Sequence, residues 1–149
     1  MTRLRQLYES MILEHHRNPR NYRSIPDFSH SSHGKNPLCG DDFFVFLTIK
    51  NESIEDISFF GDGCAISKSS GSLMTEFLKG KTVQDAIDTK DAFIKLVTKD
   101  MDESEKKMLG KLTVFEGVKA YPVRVKCAAL VWRALEDALE NHTGCVSTE

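Results

Sequence analysis

Apolar residues recur at steps of three and four in three parts of the chain, and this spacing predicts amphipathic helices. The first helix is expected over residues 3–16, ending before Asn18-Pro19, because proline disfavours helical backbone in the residue that precedes it. The second covers residues 66–78, with Gly80 just past its C-terminal cap. The third follows Pro122, and its apolar stripe consists of Ala128, Val131, Trp132, Leu135, Ala138 and Leu139.

Two runs of aromatic and β-branched residues predict a β-hairpin. They cover about residues 43–50 and 54–60, and the polar sequence Asn51-Glu52-Ser53 separates them. Residues 21–40 precede the hairpin, are rich in Ser, His, Asn, Pro and Gly, and show no periodicity. They are therefore expected to form a surface loop that leads into the first strand.

The region between the second and third helices has a weaker pattern. Residues 81–99 are expected to be helical with a break, and residues 100–117 to form a short helix followed by an irregular connection. Helices placed outside a local antiparallel hairpin indicate an α+β fold rather than alternating βαβ units. We therefore expect one α+β domain over residues 1–149, in which a small antiparallel sheet packs against several helices.

Charge and composition bear on the partners and the compartment. The 20 basic and 22 acidic residues give a formal charge of −2 and form no basic stripe, so nucleic acid is not expected as a partner. The 40% of apolar residues is ordinary for a globular protein and predicts no contact with a membrane. The N-terminal residues lack the apolar run of a signal peptide, which favours a cytoplasmic location. In a reducing cytoplasm the four cysteines are expected to bind metal or react rather than form disulfides.

Three of the cysteines and one aspartate are candidates for a metal site. A two-residue turn at Asn51-Glu52 would pair residues whose numbers sum to 103, and Cys39 and Cys64 satisfy that sum. Directly opposed residues have Cα atoms about 4.5–5.5 Å apart, which suits two sulfurs on one zinc ion. Asp41 lies two residues beyond Cys39, so in an extended segment its side chain would point the same way. Alone, Asp41 has the alternative role of capping a turn.

The remaining candidates follow from helix positions. Cys64 and Cys127 are each expected to begin a helix, where backbone N–H groups favour a thiolate. Three thiolates and a carboxylate around a divalent cation leave a charge of −2, which Arg124 and Lys126 are placed to offset. Cys145, in the predicted C-terminal tail, is expected to be an ordinary exposed thiol.

The residues around these candidates resemble the U-type iron–sulfur scaffold family. The resemblance rests on three blocks in order: Asn36-Pro37-Leu38-Cys39-Gly40-Asp41, Gly61-Asp62-Gly63-Cys64-Ala65-Ile66-Ser67 and Lys126-Cys127-Ala128. Within the family the chain is similar to the SufU-type branch, because the segment between Cys64 and Cys127 is long, with an apparent insertion near residues 98–117. IscU-type scaffolds have His at the position of Lys126 and a chaperone-binding motif where this chain reads Ala120-Tyr121-Pro122-Val123-Arg124.

The resemblance implies a zinc-bound sulfur acceptor that works with a pyridoxal-phosphate cysteine desulfurase and supplies downstream iron–sulfur assembly proteins. In that interpretation Cys39 accepts the sulfur, Asp41, Cys64 and Cys127 hold zinc with it, and Arg124 supports the site. Activity would require the partner enzyme.

Two alternatives use the same ligands. A scaffold would build a transient iron–sulfur cluster, or hold iron, on these residues. A purely structural zinc module would unfold without metal and stimulate no desulfurase.

Overall fold

The computed structural model describes residues 3–141 and 143–148, which form five α-helices, one 3₁₀ helix and four strands. In chain order they are α1 (Arg3–Arg17), β1 (His30–Asn36), β2 (Asp41–Lys50), β3 (Ser53–Asp62), α2 (Ala65–Leu78), α3 (Val83–Thr98), α4 (Glu103–Lys107), the 3₁₀ helix (Gly110–Ala120), α5 (Pro122–Asn141) and β4 (Thr143–Ser147).

The four strands form one sheet in the order β3-β2-β1-β4. The β2–β3 hairpin is antiparallel, as the sequence predicts, and β1 adds to β2 antiparallel. β4 pairs with β1 in parallel, so the sheet is mixed rather than purely antiparallel. The helices cover its inner face, which confirms the α+β class.

Two strands lie where the sequence predicts none. β1 falls inside the predicted surface loop, and β4 forms the predicted tail. The inner positions of β1 are Ser32, Gly34 and Asn36, which lack the apolar signal of a buried strand. They are small or polar because β1 packs closely on α5: a Cβ on Gly34 would lie 3.1 Å from Leu130 Cδ1.

The helical predictions need three corrections. α3 is continuous over the predicted break, and its N-terminus is fixed by a capping box between Thr82 and Asp85. The connection predicted as irregular contains the 3₁₀ helix. α5 begins at Pro122 itself, since proline lacks the N–H that a first helical turn leaves unpaired.

The hairpin register differs from the predicted one by a single residue. Asn51 and Glu52 both have positive φ, as a two-residue type I′ turn requires. Ile49 faces Ile54, but Thr48 faces Asp56, so a bulge at Glu55 shifts all later pairs. Cys39 and Cys64 are therefore not a directly opposed pair, and the geometric argument for them is wrong.

The core lies between the inner face of the sheet and helices α2, α3 and α5. Its largest members include Phe43 and Phe59 from the sheet, and Trp132 from α5, which stacks on Phe93 at a centroid distance of 4.6 Å. Residues 3–141 and 143–148 contain no helix long and apolar enough to cross a membrane. The metal-site candidates lie at one end of this core, where the β1–β2 loop meets the start of α2.

Candidate metal centre

The β1–β2 loop presents Cys39. Asn36 and Asp41 face each other as the last pair of the two strands and close the four-residue loop 37–40. The Cys39 N–H donates to the Asn36 carbonyl at 3.1 Å, and Gly40 adopts a φ of +70°, which turns the chain back towards β2. Cys39 is half-buried at the end of this loop.

Asp41 joins this loop to the start of α2. Its side chain is 2% exposed, and Oδ1 accepts hydrogen bonds from the Cys64 N–H at 2.9 Å and from Ser67 Oγ at 3.0 Å. Its second oxygen, Oδ2, is buried and has no hydrogen-bond partner among the described residues. One carboxylate oxygen of Asp41 thus binds the start of α2 rather than a local turn, and the other is available to a ligand. A buried carboxylate oxygen without a partner is costly unless something else satisfies it.

Cys64 is the N-cap of α2, as predicted. Its Sγ accepts from the Ser67 N–H at 3.5 Å. The preceding Gly63 leaves no room for a side chain, because a Cβ there would lie 2.6 Å from Ser67 Oγ and 2.7 Å from Asp41 Oδ1. The glycine therefore lets α2 approach the carboxylate closely.

Cys127 does not begin a helix. α5 starts five residues earlier, so Cys127 lies inside it, 3% exposed, and the predicted contribution of free N–H groups is absent. Burial, reinforced by the neighbouring Cys39 and Asp41 side chains and by the charge of Cys64, raises the pKa of the Cys127 thiol well above its ordinary value. A metal ion would have to displace the proton of this thiol.

The fold brings the candidate ligands together. The sulfurs of Cys39 and Cys127 and a carboxylate oxygen of Asp41 all lie within 4.8 Å of one another. Cys64 is outside that tight group, but it adjoins the group through its hydrogen bond to Asp41. Sulfur and carboxylate ligands suit Zn²⁺, and the unpartnered Asp41 Oδ2 is the kind of atom that a cation would satisfy. The residues present therefore fit a zinc ion.

The two other residues singled out from the sequence are not part of this group. Arg124 is exposed one helical turn before Cys127, with its guanidinium over the Tyr121 ring at 4.5 Å, and makes no hydrogen bond or ion pair within residues 3–141 and 143–148. Cys145 is exposed on β4 beside His33, on the sheet face opposite to Asp41.

Two residues at the site were not assigned a role from the sequence. Ser67 hydrogen-bonds both Asp41 and Cys64, and Asn36 Nδ2 lies 3.6 Å from Cys127 Sγ. Both occur in the quoted motif blocks, but neither is a common metal ligand, so residue type alone gave no signal.

Comparisons with known proteins identify the family of the chain. Residues 7–142 match the family described as the NifU-like N-terminal domain. The chain is 36% identical over 139 residues to the zinc-dependent sulfurtransferase SufU of Bacillus subtilis (strain 168), covering 93% of this chain and 92% of that protein. It is 32% identical over 141 residues to the iron–sulfur cluster assembly scaffold protein IscU of Streptococcus pyogenes serotype M1, covering 95% and 87%.

A solved structure has the same fold. The putative iron–sulfur cluster assembly scaffold protein for the SUF system from Fervidobacterium islandicum AW-1 superposes with a TM-score of 0.82 at 33% identity, covering 90% of this chain and 97% of that one. The family match over residues 7–142 includes all three cysteine-containing motifs. The chain belongs to the NifU-like N-terminal domain family of iron–sulfur cluster assembly proteins.

Proposed function

We propose that this protein is a zinc-dependent sulfur acceptor in cytoplasmic iron–sulfur cluster assembly, taking sulfur from a SufS-like, pyridoxal-phosphate cysteine desulfurase. The observation that carries the proposal is the grouping of Cys39, Asp41 and Cys127 within 4.8 Å, with Cys39 the more accessible of the two sulfurs. The name of the Bacillus relative, a zinc-dependent sulfurtransferase, supports the same chemistry.

The roles of the four ligands follow from their surroundings. Cys127 and Asp41 are buried and held by strands and a helix, whereas Cys39 lies in a loop. Its neighbour Leu38 is 69% exposed, which gives a partner protein an apolar contact next to the sulfur. Cys39 is therefore the ligand that we assign as the sulfur acceptor, with Asp41, Cys64 and Cys127 remaining on the metal.

The transfer itself is an exchange of one S–S bond for another. The Cys39 thiolate attacks the outer sulfur of the desulfurase persulfide, the persulfide S–S bond breaks, and the desulfurase cysteine leaves as a thiolate. Electrons and atoms balance without an external oxidant or reductant. Zinc, when bound, keeps the site cysteines deprotonated until the partner docks.

A scaffold function remains the alternative, since relatives from Streptococcus pyogenes and Thermotoga maritima are named scaffold proteins at 32% and 31% identity. The same residues would then hold a transient cluster. Lys126, where IscU-type scaffolds carry His, favours the sulfur acceptor.

The test is desulfurase turnover, measured as alanine release from cysteine by the cognate enzyme with zinc-loaded protein under reducing conditions. We expect strong stimulation by the wild type, loss of that stimulation in Cys39→Ala, and wild-type stimulation in Cys145→Ala, whose thiol lies on the opposite sheet face. Absence of stimulation by the wild type, combined with an iron–sulfur absorption spectrum after reconstitution, would replace the proposal with the scaffold function.

A further inference from the structure

Asn36 contacts three of the four proposed ligands. It is the last residue of β1, its side chain is 0% exposed, and it faces Asp41 across the sheet. Its carbonyl accepts from the Cys39 N–H at 3.1 Å, and its Nδ2 lies 3.6 Å from Cys127 Sγ. Among the described residues outside the ligand set, no other polar side chain hydrogen-bonds Cys127 Sγ.

We propose that Asn36 is a positioning residue that keeps Cys127 as the permanent metal ligand and so leaves Cys39 as the ligand released to accept sulfur. The inference rests on the proposed function and adds the reason why one cysteine reacts and the other does not. Asn36 holds Cys39 only through the backbone, whereas it binds the sulfur of Cys127 directly.

The physical basis is the hydrogen bond to sulfur. An N–H that donates to a thiolate withdraws electron density from it, which lowers its nucleophilicity while leaving it able to bind metal. In a buried site no water replaces that donor. Replacing a group that hydrogen-bonds to a metal ligand typically lowers metal affinity by about ten- to a hundredfold.

The amide also has an oxygen that the folded chain does not use. Asn36 Oδ1 is buried and has no partner among the described residues. Rotation of the amide by half a turn would exchange its N–H₂ and its oxygen, so either group of the Asn36 amide can face Cys127 Sγ.

The experiment uses two variants of Asn36 and one matched control. Asn36→Ala leaves a cavity and Asn36→Leu adds volume, so an effect common to both reports the lost N–H rather than a packing change. Ser32→Ala is the control. Like Asn36, Ser32 is buried on the inner face of β1 and bonds to α5, donating to Asp137 Oδ2 at 2.8 Å. Asp137 lies ten residues after Cys127 on α5, so this bond is remote from the site.

Zinc affinity, measured by competition with a chromophoric chelator, should fall by about ten- to a hundredfold in both Asn36 variants. Ser32→Ala should stay within about twofold of the wild type, since its hydrogen bond touches no ligand. Circular dichroism establishes that each variant is folded. Unchanged affinity in either folded Asn36 variant, or an equal loss in Ser32→Ala, would overturn the proposal.

The absorption spectrum of the cobalt-substituted protein reports on the ligand sulfurs themselves, so a general loss of fold stability does not shift its bands. Loss of the N–H raises the energy of the sulfur lone pairs, so the sulfur-to-cobalt charge-transfer band should shift to longer wavelength in both Asn36 variants and stay in place in Ser32→Ala.

Alkylation of the zinc-loaded protein with iodoacetamide should modify Cys39 before Cys127 in the wild type, and both at similar rates in the Asn36 variants.

These measurements need no desulfurase, so the role of Asn36 and the sulfur-acceptor function are tested independently of each other. An unshifted cobalt band with unchanged order of alkylation overturns the role of Asn36 even if the wild type stimulates the desulfurase. A shifted band and altered order of alkylation support Asn36 as the residue that holds Cys127, and the desulfurase test alone then decides the sulfur-acceptor function.

Discussion

His15 is a buried histidine whose environment favours the neutral ring. It is 3% exposed on α1, and its Nδ1 lies 2.7 Å from Ser72 Oγ of α2. The same hydroxyl oxygen accepts from the backbone N–H of Arg20 at 2.9 Å. Burial, and after it the positive charge of Arg20, lowers the pKa of His15.

This residue predicts a loss of stability in mild acid. Because the folded pKa is below the unfolded value of 6.5, the unfolded chain binds the proton first, so the contribution of His15 is complete above pH 6.5 and declines as pH falls below it. Urea unfolding of the metal-free protein at pH 7.0 and 5.5 should show a larger loss in the wild type than in His15→Gln. Equal losses in the two proteins would contradict the assignment.

At the scale of elements, a hydroxyl joins the two helices that carry Cys64 and Cys127. Ser70 of α2 donates to the Ala128 carbonyl at 2.7 Å and accepts from Trp132 Nε1 at 3.2 Å, and it is completely buried. The bond to Ala128 is one residue from Cys127. The distance between the two cysteine-bearing helices is therefore set by a polar contact as well as by apolar packing.

Ser70→Ala should destabilise the protein by about 1–3 kcal/mol, because it removes the hydrogen bond to the Ala128 carbonyl and leaves the buried indole N–H of Trp132 without a partner. It should also weaken zinc binding, since α5 is no longer held to α2 beside the site. Ser69→Ala is the matched control: it is equally buried on the same helix but donates only within it, to the Ile66 carbonyl at 3.1 Å, so its cost should be at most about 1 kcal/mol. Urea unfolding and chelator competition measure both effects, and identical results for the two variants would argue against the interhelical link.

At the scale of the whole molecule, the core and the metal site are separate. The largest buried side chains, among them Phe43, Phe93 and Trp132, come from the sheet, α3 and α5 and need no metal to pack. The site residues occupy the end of this core, where the β1–β2 loop meets α2. The apolar core should therefore hold the fold by itself, which distinguishes this protein from a small structural zinc module.

Metal removal should lower the unfolding temperature without unfolding the chain. Zinc at a thousand times its dissociation constant would add about 4 kcal/mol to the free energy of unfolding. Far-ultraviolet circular dichroism at 25 °C should be nearly the same with zinc and after chelation, and a thermal scan should show the difference. Collapse of the helical signal on chelation would instead support the structural-module alternative.

Local patterns in the sequence determined α1, α2, α5, the hairpin and the identity of the candidate ligands. α1, α2 and α5 have apolar stripes of helical period, and the two hairpin strands have aromatic and β-branched runs, because each of these elements buries a face that its own residues encode. The motif blocks around Cys39, Cys64 and Cys127 indicated the family, which the comparisons confirm.

Only the tertiary structure decided the features that depend on distant partners. β1 and β4 have no apolar signal of their own, since the close approach of α5 and pairing within the sheet make them strands. One bulged residue in β3 moved Cys39 out of register with Cys64, although the loop and the helix start still bring both to Asp41. The contact of Asn36 with Cys127 joins residues 91 positions apart, and no local pattern in a single sequence encodes such a distance.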